Sequence, residues 1–77
     1  MSRAACQTAI AQATDYVAAR TQDWPSERLR ALRREPRLQA LEAAINQQAI
    51  RGDVAQTRAA CRAWWLYILA YGTRQNF

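Results

Sequence analysis

Four residues punctuate this chain: Pro25, Pro36, Gly52 and Gly72 are its only prolines and glycines. Between them lie uninterrupted stretches rich in alanine, 17 of the 77 residues, and alanine is the best helix former. β-branched residues are too few to build a sheet. The expected fold class is therefore all-α: a single domain over residues 1–77, a small compact four-helix bundle with a short second helix and a C-terminal αα-hairpin. A domain of this length buries only roughly 60% of the surface its unfolded chain exposes, so the core must be small.

The helix boundaries follow from local chemistry. Ser2 suits the cap of a first helix over about 3–21, in which Cys6, Ile10, Ala13 and Val17, with Ala9 and Tyr16 beside them, form one apolar stripe. Pro25 suits the first turn of a second helix over 25–34, Glu27 complements its positive end, and Trp24 is expected to clamp its entry. Pro36 disfavours helical backbone at Glu35, which keeps that helix short. The third helix, 36–51, carries Leu38, Leu41, Ile45 and Ala49 on one face. Gly52 stops it in the left-handed conformation, and Asp53 with Gln56 reads as a capping box for the next helix. Arg51-Gly52-Asp53 is thus a helix stop followed by a helix start, which explains that tripeptide without any adhesion role.

The fourth helix is expected over 54–71, with Gly72 as its stop and 72–77 as a polar tail that frays unless Phe77 docks. Val54, Thr57, Cys61, Trp64, Trp65 and Ile68 share one arc, flanked by Ala60, Tyr67 and Tyr71. The apolar part of its uncharged run, AWWLYILAY, spans nine residues, against the roughly 20 a membrane-spanning helix needs. The expected core comprises Ile10, Val17, Leu29, Leu32, Leu38, Leu41, Ile45, Cys61, Trp64 and Ile68. Leu66 and Leu69 fall on the side of Arg58 and Arg62 instead. Either another part of the chain covers them, or they form a protein interface or homodimer seam together with Trp65 and Tyr67.

Charge is the other informative feature. All eleven basic residues are arginine, against six carboxylates, giving a net charge of +5. Residues 28–37, RLRALRREPR, hold five of the arginines and one glutamate. Arg28, Arg30, Arg33, Arg34 and Arg37, extended by Arg58 and Arg62, form the candidate polyanion-binding set, since arginine's planar fork suits phosphate and carboxylate. An arginine-rich, lysine-free composition is the competing explanation, although composition does not account for the clustering. The second and third helices imitate a helix-turn-helix, with Gln39, Asn46 and Gln47 available to read bases, but RREPR lacks the usual glycine-containing turn.

The inventory argues against catalysis. The chain has neither His nor Lys, and its carboxylates have no paired spacing on a helix face. There is no Gly-rich phosphate cradle, no metal-ligand spacing, and no cofactor or small-molecule substrate is expected. Cys6 and Cys61 read as small buried apolar side chains rather than a disulfide. No apolar signal region follows Arg3, so a cytoplasmic, reduced chain is expected. The function expected is that of a non-catalytic, basic binding protein: a regulator that engages nucleic acid or a nucleic-acid-processing complex through its arginines. The alternative is a protein–protein adaptor or inhibitor, similar in size and composition to small phage- or plasmid-encoded proteins that act on a host complex. It would meet an acidic protein surface, or a second copy, through its Trp/Leu-rich last helix.

Overall fold

In the computed structural model, which describes residues 2–74 and only the backbone of Arg74, four helices follow one another: α1 (Arg3–Thr21), α2 (Ser26–Arg33), α3 (Pro36–Arg51) and α4 (Val54–Arg74). The expectation for Phe77 lies outside the described residues. α1 starts where expected, although the Ser2 hydroxyl makes no capping bond. Its carbonyl instead accepts from the Cys6 N–H at 3.0 Å, opening the helical ladder. At the other end Thr21 is buried and its hydroxyl donates back to the Val17 carbonyl at 2.9 Å.

Pro25 is the cap of α2 and not part of its first turn: with ψ at 146° it stays extended, and its carbonyl accepts from the N–H groups of Arg28 and Leu29. Glu35 is also extended, ψ 121°, as a residue before proline prefers, so α3 begins at Pro36. Gly52 closes α3 with φ at 71°. The Gly52 and Asp53 N–H groups donate to the Ala49 and Gln48 carbonyls at 3.0 and 3.2 Å, which satisfies two of the carbonyls a helix end leaves open. Asp53 then caps α4, its Oδ1 accepting from the Gln56 N–H at 3.0 Å. Only this half of the expected capping box forms, because the Asp53 N–H is already given to Gln48.

The expected stop at Gly72 is overturned, since α4 runs through it to Arg74. Gly72 is buried, and a Cβ placed on it would overlap Cζ2 and Cη2 of Trp24. The glycine serves close packing of the indole against the helix, so Trp24 clamps α4 as well as lying beside Arg28 in the first turn of α2.

The register of side-chain contacts fixes the topology. Thr57 meets Cys6 and Trp65 meets Tyr16, so α1 and α4 run parallel. Trp64 meets Glu42 and Tyr67 meets Glu35, so α3 runs antiparallel to α4. Three long helices thus run up, down and up, with α2 crossing between α1 and α3 at one end. The molecule is elongated, 44 × 23 × 15 Å. α4 packs extensively on both α3 and α1, whereas α2 makes the thinnest contacts of the four.

Two apolar clusters line α4. Leu32, Leu38, Ile68 and Tyr71 form one at the α2 end, with Val17 and Trp24 against it. Ala13, Ile45 and Cys61 form the other, and Trp64 packs against both. Of the expected core, Leu32, Leu38, Ile45, Cys61 and Ile68 are buried, while Ile10, Val17, Leu29, Leu41 and Trp64 are half-buried. Cys6, Ala9, Ala13 and Ala49 take their share of the interior, because small side chains let helices approach closely.

Candidate anion-binding surface

The arginines of the candidate set divide into three places. Arg30 and Arg33 on α2, Arg34 at its C-cap and Arg37 in the first turn of α3 are all exposed. They share the end of the molecule at which α2 crosses. Arg28 is half-buried at the α1–α2 corner, with its guanidinium carbon 5.3 Å from the centre of a Trp24 ring. It lines a recess of about 440 Å³ with Arg20, Asp23, Trp24, Leu69, Gly72 and Thr73. Arg58 and Arg62 are exposed on α4. At the 1.5 Å helical rise they lie about 17 and 10 Å along the axis from Leu69. They do not directly prolong the α2 strip. Arg58 instead borders a groove of about 280 Å³ between α1 and α4, with Gln12, Tyr16 and Trp65.

Three carboxylates are hydrogen-bonded to groups of α4. Glu35, inside the strip in sequence, accepts from the Tyr67 hydroxyl at 3.4 Å. Glu42 accepts from the Trp64 indole N–H at 3.3 Å, and Asp53 caps α4. These three acids are held by neutral donors of α4, while Glu27 stays exposed on α2 itself. Among the described residues, Arg30, Arg33, Arg34 and Arg37 make no ion pair. Arg33 contributes only its carbonyl, which accepts from Gln39 Nε2 at 3.4 Å. Gln39 is thereby tied to α2, while Asn46 and Gln47 stay exposed on α3.

The candidate protein-interface residues also separate. Trp65 and Tyr67 are half-buried, Trp65 with its ring centre 4.8 Å from that of Tyr16. Leu69 is half-buried in the corner recess. Leu66 remains 46% exposed, beside the exposed Ala59, Ala63 and Ala70 of α4. Ile50, at 70%, is more exposed still. Sequence reading missed it because it lies one residue past the apolar stripe of α3.

A second row of basic and aromatic groups follows the α1–α4 seam. The guanidinium carbon of Arg20 lies 3.5 Å from the centre of the Tyr16 ring, and its Nη1 donates to the Tyr16 carbonyl at 3.2 Å. No sequence pattern pointed to this row, because Arg20 and Tyr16 gain their significance from the helix that packs beside them.

Cys6 and Cys61 are free and buried. The fully buried Thr57 donates its hydroxyl hydrogen to Cys6 Sγ at 3.4 Å. Burial, and secondarily Cys6, pushes the Cys61 thiol above its usual value. No three His, Cys, Asp or Glu side chains converge on a metal-sized site among the described residues. Nor is any described helix long and apolar enough to cross a membrane.

Fold and surface together define a small all-α protein with an arginine-bearing end. Comparison with protein-family models, with curated proteins and with solved structures finds no match to this chain.

Proposed function

We propose that this chain is a non-catalytic binding protein, a regulator that engages nucleic acid, alone or within a nucleic-acid-processing complex, through Arg30, Arg33, Arg34 and Arg37. One observation carries the reading: these four arginines are exposed together on α2 and the adjoining turn of α3, while nearby Glu35 and Glu42 are bonded to Tyr67 and Trp64. Like charges four apart on one helix, as at Arg30 and Arg34, repel by a few tenths of a kcal/mol, a cost that a line of phosphates reverses. The non-catalytic part rests on the ionisable inventory, which offers no His or Lys as a base.

Titration into labelled duplex DNA, single-stranded DNA and RNA at low and near-physiological salt tests the reading. Binding should fall steeply with salt. Replacing Arg30 and Arg34 together by Ala should weaken binding to every sequence and lower the log–log salt slope by about 2, one for each phosphate that is no longer neutralised. No binding at low salt, or a double variant indistinguishable from the parent, rejects it.

A second reading, a protein adaptor or inhibitor or a homodimer docked through α4, rests on the exposure of Leu66 beside three exposed alanines. Under that reading Leu66→Asp abolishes association in sedimentation or pull-down measurements while salt has a modest effect; under the first it is nearly silent.

A further inference from the structure

The seam between α1 and α4 alternates arginine with aromatic rings. In order along it stand Arg58, the Tyr16–Trp65 pair, Arg20 stacked on Tyr16, and then Trp24 with Arg28. Tyr16, Trp24 and Trp65 are each half-buried, so each ring is held in place by the fold and still keeps accessible surface. Two recesses open beside them, about 280 Å³ at Tyr16–Trp65 and about 440 Å³ at Trp24. On α4, Trp65 and Gly72, which carry the two aromatic positions, are seven residues and so about 10 Å apart along the axis.

Resting on the nucleic-acid reading above, we propose that this seam is a track for single-stranded nucleic acid. Bases stack on Trp65, which Tyr16 backs, and on Trp24, and Arg58 and Arg20 pair with the phosphates between them. Fixed aromatic faces flanked by cations are what an unpaired strand requires, because every base has a π-face to offer and its backbone charge follows the arginines. A duplex has its bases already stacked on one another and cannot present them to recesses between two helices. Asp23 borders the corner recess as well, together with Arg20 and Arg28. The track is separate from the α2 strip, which contacts phosphate of any form; the two together would let one small chain tell an open strand from a closed one.

The test compares a labelled oligothymidylate, an oligouridylate of the same length and a length-matched duplex at low salt, using anisotropy and the chain's own tryptophan fluorescence. The single strand should bind at least tenfold tighter than the duplex and quench the tryptophans. The thymidylate and uridylate arms tell DNA from RNA, and a preference for either supports the track. Tyr16→Leu keeps an apolar group against Trp65 but removes the ring that backs it, and should weaken single-strand binding about tenfold, the loss expected for one stacked base, with duplex binding unchanged. Should Tyr16→Leu fail to fold by circular dichroism, the exposed positions Arg20→Gln and Arg58→Gln read the same track and should show the same selectivity. The track is overturned if the duplex binds as tightly as the single strand, or if folded Tyr16→Leu, or the arginine pair, binds single strands like the parent. Duplex binding that responds only to Arg30 and Arg34 removes the track and leaves the function standing. Absence of all binding at low salt removes both.

Discussion

Cys61 sits where α4 meets α1 and α3, 4% exposed, its thiol held above the ordinary value first by burial and then by Cys6. The folded chain therefore keeps this proton over a range of pH in which the unfolded chain has released it. With more protons bound in the native state, stability is fully present below the unfolded cysteine value of about 8.5 and declines as pH rises through and beyond it. Melting temperature should be level from pH 7 to about 8 and fall above about 9, and Cys61→Ala should lessen that alkaline fall. Equal slopes in parent and variant would reject the link. Burial of both cysteines was legible in the sequence, since each lies in an apolar stripe. Their connection was not: Thr57 looked like one more residue of its arc, and its acceptor, Cys6, lies 51 residues away.

At the scale of the element, boundaries set by neighbouring residues were legible and boundaries set by distant ones were not. α3 runs from Pro36 to Arg51 as expected, because a proline at its start and a left-handed glycine after its end act locally. The half capping box after it makes a direct prediction. Asp53→Ala leaves the Gln56 N–H without its acceptor and should cost about 1 kcal/mol in denaturant unfolding, while Asp53→Asn should be nearly neutral. If Asn costs as much as Ala, the bond at 3.0 Å is not what holds the corner. The end of α4 was misread because Gly72 looks like a helix stop until Trp24 is seen packed over it. The site was legible to the same degree. The clustering of Arg30, Arg33, Arg34 and Arg37 stands in the sequence, whereas the removal of Arg28 to the corner and the diversion of Glu35 and Glu42 to α4 depend on packing.

Over the whole molecule, the contact of Trp24 with Gly72 joins the α1–α2 corner to the far end of α4. A glycine-to-alanine change in an open helix gains about 1 kcal/mol, but overpacking a filled site costs about 1–3 kcal/mol. Gly72→Ala should therefore destabilise the fold. In a double-mutant cycle with Trp24→Leu the loss should largely disappear, because the smaller side chain vacates the space. A stabilised Gly72→Ala would show that the indole yields. The faces of the long helices were readable from their periodicity, but their parallel and antiparallel order was not, since it is settled by pairs such as Tyr16–Trp65 and Glu42–Trp64. The strip of arginines rides on α2, which fully buries only Leu32 and packs least against its neighbours. Such an element opens locally at a smaller free-energy cost than the rest of the fold. An anion that needs α2 formed is bound only during the fraction of time the helix exists, and its apparent dissociation constant rises by the inverse of that fraction. Any ligand of the strip is then also a folding partner: it draws α2 into order, and the protection of its amides against hydrogen exchange rises with occupancy.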